Sequence, residues 1–212
     1  MKYLHWKEEK INDFSDDFIT SMYEKGFVFT RLDKGVMHQT RSVRIDLKKF
    51  ELTSENRRIL RKDENISIDR LPIPYQTYSW EIGKLAKDFY DIKAPDSFSV
   101  NKIKEIITTP HNFNIFLKFS DVGYAICYEN KSMLHYCYPF YDLQKASKDM
   151  GLIMMTKAIF EAKSRGLSYV YLGSLQRPGD VYKLQFEGIE WFDGKEWRKD
   201  IEKVEVLLRE LN

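Results

Sequence analysis

The sequence predicts an α+β fold in which three antiparallel strands, a long helix and a fully buried strand follow one another. Three observations support this prediction. Short, turn-rich links join the strand-like runs 113–119, 122–128 and 132–141 into a meander. A helical pattern from about Asp149 to Arg165 ends at Gly166, the residue type preferred after a helix. The continuous apolar run 168–173 is typical of a strand covered on both faces.

A smaller α+β lobe is expected before this core. Four residues at helical spacing predict a first helix that stops at Gly26: Ile11, Phe14, Phe18 and Met22. Strands are expected over 27–31 and 41–46, and Ser54 is expected to cap a short helix that runs to Lys62. The polar stretch 63–74 contains two prolines and predicts a boundary between an N-terminal lobe, 1–70, and a catalytic domain, 71–212.

Further helices flank the predicted meander. The first carries apolar residues on one face, at Ile82, Leu85, Ala86 and Phe89. The second has the same pattern at Val100, Ile103, Ile106 and Ile107, and Pro110 follows it. Asp193 and Gly194 predict a hairpin turn, and a charged amphipathic helix is expected over 199–211.

The length and composition permit a sizeable core, either in one compact domain or in one larger domain with a smaller lobe fused to it. The chain has 212 residues, of which 43% are hydrophobic and 15% aromatic. Routine core packing explains most of the aromatic rings. The alternative is a pocket in which rings stack on planar groups such as nucleobases.

Positive charge is concentrated in one part of the chain. Between Arg41 and Lys62 there are eight basic and three acidic residues, whereas the whole chain carries a net charge of +2. Arg57, Arg58, Arg61 and Lys62 lie on the predicted short helix and are candidates for binding nucleic-acid phosphates or a substrate carboxylate. The alternative is a solvated helix face.

Neither a metal site nor a disulfide is expected. The two cysteines, Cys127 and Cys137, lie on adjacent predicted strands, and the histidines at 5, 38, 111 and 135 lack zinc-site spacing. The first ten residues are polar and charged, and no run is long enough to span a membrane. We therefore expect a cytoplasmic protein with reduced cysteines and no membrane partner.

The order of the elements resembles the central part of the GNAT acyltransferase fold, in which a helix N-terminus borders the cleft. Members that use acyl-CoA carry a Q/R-x-x-G-x-G/A turn there. Residues 148–153 read K-D-M-G-L-I, so Gly151 is present but Ile153 is bulky and Asp149 brings a carboxylate. Asp149 is better suited to capping the helix. This turn is poorly suited to CoA, so an N-acyltransferase that uses acyl-CoA is kept only as an alternative function.

Several segments together resemble the arginyl- and leucyl-tRNA–protein transferases. In the catalytic core they are FYDLQKASKDMG (140–151), GLSYVYLGS (166–174) and YKLQF (182–186) with Glu190. In the N-terminal part they are EKGFVFTR (24–31), SVRIDLKKFELTSENRRILRK (42–62) and the pair Tyr75 and Tyr78. The order agrees along nearly the whole chain.

The resemblance implies transfer of Arg or Leu from a charged tRNA to the α-amine of a protein or peptide that begins with Asp or Glu, in N-degron turnover. It implies no cofactor besides the aminoacyl-tRNA co-substrate, and we expect a monomer. The family's N-terminal cysteine cluster would fall near Lys34, Met37 and Thr40, where no Cys occurs. Ser174, Val181 and Gly188 also depart from the family pattern, which leaves donor and acceptor open.

The resemblance also implies roles for particular residues. The catalytic candidates are Asp142, Tyr171 and Glu190. Asp142 would contact the reacting amines, or else it forms a turn. The substrate-binding candidates besides the arginines are Tyr75, Tyr78, Gly151, Gly173 and Lys183.

The alternatives for these candidates are structural. Tyr75 and Tyr78 could be packing residues, and Lys183 a surface lysine. Tyr169 and Tyr171 share one strand face, and we expect one of them in the pocket and the other in packing. A non-catalytic module that binds N-degrons or RNA is the third functional alternative.

Overall fold

The computed structural model describes residues 3–62, 64–95 and 97–210. Within those residues the chain forms one large and one small β-sheet, with helices on both faces of the large sheet. The candidate site residues lie in and around the large sheet.

The large sheet has eight strands, and the chain order is far from the sheet order. Neighbouring strands are antiparallel except β8 and β9, which are parallel. In sheet order the strands are β11 (Trp197–Arg198), β10 (Ile189–Phe192), β4 (Ser42–Asp46), β9 (Tyr169–Ser174), β8 (Met133–Tyr141), β7 (Gly123–Glu129), β6 (Ile115–Phe119) and β5 (Ile68–Pro72).

The small sheet belongs to the N-terminal part of the chain. Its order is β1 (Lys7–Lys10), β3 (Val36–Gln39) and β2 (Phe27–Phe29), all antiparallel. Residues of β2 and β3 pack into the apolar cluster on one face of the large sheet, whereas all four residues of β1 are exposed.

Helices cover both faces of the large sheet because successive side chains of its strands point to opposite sides. On one face lie α2 (Ser54–Lys62), α5 (Met150–Ser164) and α6 (Ile201–Arg209). On the other lie α1 (Asp16–Glu24), α3 (Trp80–Lys93) and α4 (Val100–Thr108). The helix α5 connects the two parallel strands, as the predicted order of elements requires.

The predicted α+β class is confirmed, with its antiparallel meander, long helix and buried strand. The short helix over 54–62 and the helices near 80–93 and 100–108 are also present. Gly166 follows α5 with φ +79°, a conformation that glycine adopts without steric cost. The turn at 193–194 joins β10 to β11.

Three local predictions were wrong. The first helix begins at Asp16, because the backbone of Ile11 still bonds to Gly35, and Phe14 and Phe18 are exposed. The cap of α2 is Thr53, whose Oγ1 accepts the Asn56 N–H at 3.1 Å. Asp149 makes no side-chain capping bond and instead pairs with Lys62 of α2.

The polar stretch 63–74 contains an edge strand that its composition concealed. Strand β5 pairs with β6 across residues on both sides of the proposed boundary at 70/71. Strand β4, from the predicted N-terminal lobe, lies between β9 and β10. The division into two lobes stays a prediction, and the large sheet includes strands from both.

Cys127 and Cys137 are both free thiols. Among the helices of the described residues, none combines the length and the apolar character needed to cross a bilayer.

Candidate active site

Four adjacent strands place four polar side chains in one line across a face of the large sheet. His135 of β8 lies opposite Tyr171 of β9, Tyr171 opposite Arg44 of β4, and Arg44 opposite Glu190 of β10. Directly opposed residues point to the same side of a sheet. We call this line, His135–Tyr171–Arg44–Glu190, the polar row, and all four residues are buried.

The centre of the polar row is a buried ion pair. Arg44 donates to Oε2 of Glu190 from Nε at 2.9 Å, and its Nη2 lies 2.8 Å from the same oxygen. Burial opposes the charge of Arg44, but Tyr171 and Glu190 outweigh it and raise the pKa of the guanidinium. Such a pair is stable only while both partners are present, because either charge alone would be buried uncompensated.

Aromatic rings enclose the Arg44 guanidinium. Its central carbon lies 4.2 Å from the ring centre of Tyr169 and 4.0 Å from that of Trp197. The Tyr171 hydroxyl is 3.4 Å from Nη1, and burial raises the pKa of Tyr171 to about 12. Tyr171 is therefore neutral at physiological pH. Both tyrosines contact the arginine, and Tyr171 is the more deeply buried of the two. The expected division into one pocket residue and one packing residue stays a prediction.

His135 forms the other end of the polar row. Its Nδ1 lies 2.8 Å from the hydroxyl of Tyr23 on α1, and that hydroxyl accepts the Phe29 N–H at 3.3 Å. The hydroxyl hydrogen needs an acceptor in this buried place, so Tyr23 donates to Nδ1 and the ring proton lies on Nε2. Burial, with the nearby Lys183 charge, lowers the pKa of His135 to about 3. The imidazole is therefore neutral.

Strands β8 and β9 diverge towards their C-terminal ends, and we call the gap between these ends the cleft. Their parallel pairing ends at His135 and Tyr171, although β8 continues to Tyr141 and β9 to Ser174. Gly173 has φ +76°. Within the described chain, the one atom that a Cβ at this position would meet within 4 Å is Nε2 of His135, at 3.9 Å. The N–H of a neutral histidine therefore borders open space beside a glycine backbone.

Lys183 lies at the same strand end. It belongs to a 3-10 helix, Pro178–Leu184, and its Nζ donates to the Ser174 carbonyl at 2.8 Å. Its Nζ is also 3.5 Å from Asp180, and its side chain is only 13% exposed. Lys183 is therefore not the surface lysine of the structural alternative. The structure brings Gly173 and Lys183 together.

The N-terminus of α5 is already engaged in part. The Met150 N–H donates to the Ser147 carbonyl and the Leu152 N–H to the Asp149 carbonyl, whereas the Ile153 N–H makes the first regular bond of the helix, to Asp149. Gly151 lies against Tyr141, where a Cβ would come within 3.2 Å of the hydroxyl. Helix N-termini bind phosphate through free N–H groups, and two of these groups are occupied here.

Asp142 follows β8 and occupies a turn. Its carboxylate accepts the N–H groups of Gln144 at 2.9 Å and Lys145 at 3.3 Å. These bonds, with that from Gln144 first, lower the pKa of Asp142. Asp142 therefore forms the turn that was the structural alternative to a catalytic role. This turn directly follows β8, the strand that borders the cleft.

The arginines of α2 lie on the opposite face of the sheet from the polar row. Arg57 and Arg61 line a groove of about 740 Å³ between α2, α5 and the edge strand β5. Lys157 and the half-exposed ring of Phe160 line the same groove. Arg58 instead donates to Glu55 at 2.7 Å and 2.5 Å.

Tyr75 and Tyr78 pack in the apolar cluster beneath α3 and α4. The Tyr75 ring lies 5.6 Å from that of Phe116, and the Tyr78 hydroxyl lies against Gly83. Both tyrosines therefore make the packing contacts expected if their role is structural.

One comparison with a curated protein supports the resemblance found in the sequence. A curated relative, an aspartate/glutamate leucyltransferase from Alkalilimnicola ehrlichii, is 28% identical in an alignment of 171 residues that covers 76% of this chain and 70% of that protein. The resemblance to the aminoacyl-tRNA–protein transferase family is confirmed. The prediction that the chain is an enzyme of aminoacyl transfer is confirmed with it. No protein-family model matches the chain.

Solved structures resemble the chain only distantly. L-PGS from Bacillus licheniformis has a TM-score of 0.45 and 13% identity, over 74% of this chain and 49% of its own. A GCN5-related glucosamine N-acetyltransferase region of a fungal multi-domain β-N-acetylglucosaminidase has a TM-score of 0.47 and 11% identity, over 86% of this chain and 22% of its own. The chain thus spans about half or less of these proteins.

Sequence reasoning missed three residues of the candidate site: Tyr23, Arg44 and His135. A charged residue at the centre of the apolar strand V-R-I was a signal for Arg44, because such a position is buried. The occurrence of a histidine among the apolar residues of β8 was a weaker signal for His135. Tyr23 had no signal, since only the tertiary fold brings it to His135.

Proposed function

We propose that the protein transfers leucine or arginine from the 3′ end of a charged tRNA to the α-amine of a protein or peptide that begins with Asp or Glu. The observation that carries the proposal is the cleft between β8 and β9, where the His135 Nε2–H faces the space beside Gly173. The relationship to a leucyltransferase supports aminoacyl transfer, and the relative's printed name favours leucine as the donor group.

The chemistry is attack of a neutral amine on the carbonyl carbon of the aminoacyl ester. The carbonyl oxygen becomes an oxyanion in the tetrahedral intermediate. Collapse of the intermediate forms the amide bond and breaks the ester bond, and the proton lost by the amine passes to the departing ribose oxygen. The ester is already activated, so positioning and oxyanion stabilisation supply much of the acceleration.

His135 is suited to stabilise the oxyanion. Its pKa near 3 keeps the ring neutral, so Nε2–H donates a hydrogen bond without carrying a charge into the apolar interior. Tyr23 fixes the tautomer that makes this donor available. Gly173 lets the ester approach the strand backbone, since a side chain there would project towards Nε2.

The rest of the polar row is assigned a positioning role. Glu190 and Tyr171 both bond to Arg44, so the Glu190 carboxylate is compensated by a buried guanidinium. Asp142 stays the candidate for contact with the acceptor amine, because its lowered pKa keeps it ionised at the end of β8. Lys183 supplies positive charge for a terminal phosphate or a substrate carboxylate.

The groove beside α2 is the proposed tRNA contact. Arg57, Arg61 and Lys157 offer charge for phosphates, and Phe160 offers an exposed ring for stacking. Arg58 shares its guanidinium with Glu55 and is assigned a smaller part. Two N-terminal N–H groups of α5, those of Met150 and Leu152, are engaged, and the bulky Ile153 stands where the CoA turn has a small residue. Both features weigh against pyrophosphate binding there, and so against the acyl-CoA alternative.

Mass spectrometry with a full set of charged tRNAs tests the proposal. Peptides that begin with Asp or Glu are expected to gain one amino acid, whose added mass identifies the donor, and a matched peptide that begins with Ala is expected to stay unmodified. Absence of transfer from every charged tRNA would contradict the proposal. Stabilisation of the protein by acetyl-CoA would then favour the acyl-CoA enzyme, and tRNA or peptide binding without turnover would favour the non-catalytic module.

A further inference from the structure

The small sheet gathers three side chains suited to a metal ion. Glu8 of β1 and His38 of β3 are directly opposed, with Oε2 and Nε2 2.8 Å apart. The imidazole of His5 stacks on that of His38 with ring centres 4.4 Å apart. One ligand atom from each of His5, Glu8 and His38 lies within 4.8 Å of the others. The three residues are brought together by strand pairing, which their spacing in the sequence did not reveal.

We propose that His5, Glu8 and His38 bind a divalent ion of the zinc type. Two imidazoles and one carboxylate are ligands that zinc prefers, at about 2.0–2.2 Å from the metal. The ion would take the place of the hydrogen between Nε2 of His38 and Oε2 of Glu8. The exposed His5 ring can turn its edge to supply the third ligand, and water would complete a tetrahedral site.

The ion would add a further attachment between strand β1 and the rest of the protein. All four residues of β1 are exposed, and within the described chain β1 pairs with β3 alone. It therefore gains little from apolar burial. A metal that bridges the segment to the buried His38 would add its binding free energy to the docking of β1.

The same segment touches the end of the candidate active-site strand. The Tyr3 hydroxyl lies 3.3 Å from Oγ of Ser174, and the Leu4 N–H donates to Oε1 of Gln176 at 2.7 Å. Both partners closely follow Gly173 in the chain. The proposed site would thus hold Tyr3 and Leu4 against the rim of the cleft.

Zinc titration of chelator-treated protein without a histidine tag tests the site. Calorimetry is expected to detect an equimolar amount of bound zinc, and zinc is expected to slow tryptic cleavage after Lys7 and Lys10. His5→Ala and Glu8→Gln should each weaken binding by about tenfold or more. Glu9→Gln is the matched control, because its side chain points to the other side of the same strand.

Absence of zinc binding would overturn the proposal. So would equal zinc affinity in His5→Ala, Glu8→Gln and Glu9→Gln. His5 and Glu8 are exposed, so these variants keep the fold, and circular dichroism verifies it. Binding and proteolysis are both read without aminoacyl transfer, so this inference and the proposed function can fail separately.

Discussion

The hydroxyl of Tyr23 lies 2.8 Å from Nδ1 of His135, across 112 positions of chain. The hydrogen bond links the first helix to the strand that borders the cleft, and it fixes which ring nitrogen of His135 carries the proton. Tyr23, which lies outside the predicted catalytic segments, thereby determines that Nε2 of His135 in the meander is a hydrogen-bond donor.

Tyr23→Phe is expected to lower the transfer rate by about tenfold or more, because His135 loses its tautomer partner. Nitrogen NMR of labelled protein should report a change in the protonation pattern of the ring. Tyr128→Phe is the control, since its ring stacks on Tyr23 without bonding to His135. An unchanged tautomer in Tyr23→Phe would contradict the assignment.

Acid should destabilise the protein through His135. The pKa of this histidine is about 3 in the folded protein and 6.5 ordinarily, so between these values the unfolded chain binds a proton that the folded chain does not. The free energy of unfolding therefore falls as the pH falls, by about 2 kcal/mol from about pH 7 to about pH 5. Urea unfolding should reveal a smaller decrease in His135→Asn, and an equal decrease would contradict the buried, neutral state.

Gly173→Ala should harm catalysis more than stability. Gly173 and Gly166 have φ +76° and +79°, so alanine at either site costs about 1–2 kcal/mol of stability. Only the Gly173 Cβ would project into the cleft, towards Nε2 of His135, whereas nothing described lies within 4 Å at Gly166. Transfer rates should therefore fall in Gly173→Ala and persist in Gly166→Ala, with similar melting temperatures. Equal rates would argue against the cleft.

Glu190→Gln should destabilise the protein by about 3 kcal/mol, because it leaves the charge of Arg44 buried without a counter-charge. The double variant Arg44→Met, Glu190→Met is expected to recover part of this stability. Glu55→Gln removes the carboxylate of an exposed pair and should leave stability nearly unchanged. Chemical denaturation measures all three, and a neutral Glu190→Gln would refute the account of the ion pair.

Arg57→Ala and Arg61→Ala should flatten the salt dependence of tRNA binding. The slope of log affinity against log salt should decrease in magnitude by roughly 1 for each tRNA phosphate that the variant no longer neutralises. Arg58→Ala is the matched control on the same helix, since Arg58 is engaged by Glu55. Equal slopes in all three variants would remove the groove as the nucleic-acid binding surface.

Local elements could be predicted from the sequence because their signals are local. The apolar spacing of α5 and the glycine after it indicated both ends of the helix, and α2 was bounded correctly although its cap is Thr53. Strand β5 was missed because this edge strand has no fully buried residue and combines the charged pair Asp69 and Arg70 with Pro72.

The site depends on strand register, which no local pattern specifies. Tyr171 and Glu190 were predicted from the resemblance, but their common partner Arg44 lies 127 and 146 positions away from them. Gly173 and Lys183 were predicted separately, and the fold places both at one strand end. Their grouping follows from the order of strands in the sheet.

The insertion of β4 between β9 and β10 has a consequence for synthesis of the protein. A ribosome releases residues 42–46 long before either neighbouring strand exists, so β4 must wait for partners made last. Closing loops of this length slows folding, and unpaired strand edges stay exposed in the interval. The nascent chain should therefore depend on chaperones until its C-terminal hairpin has emerged.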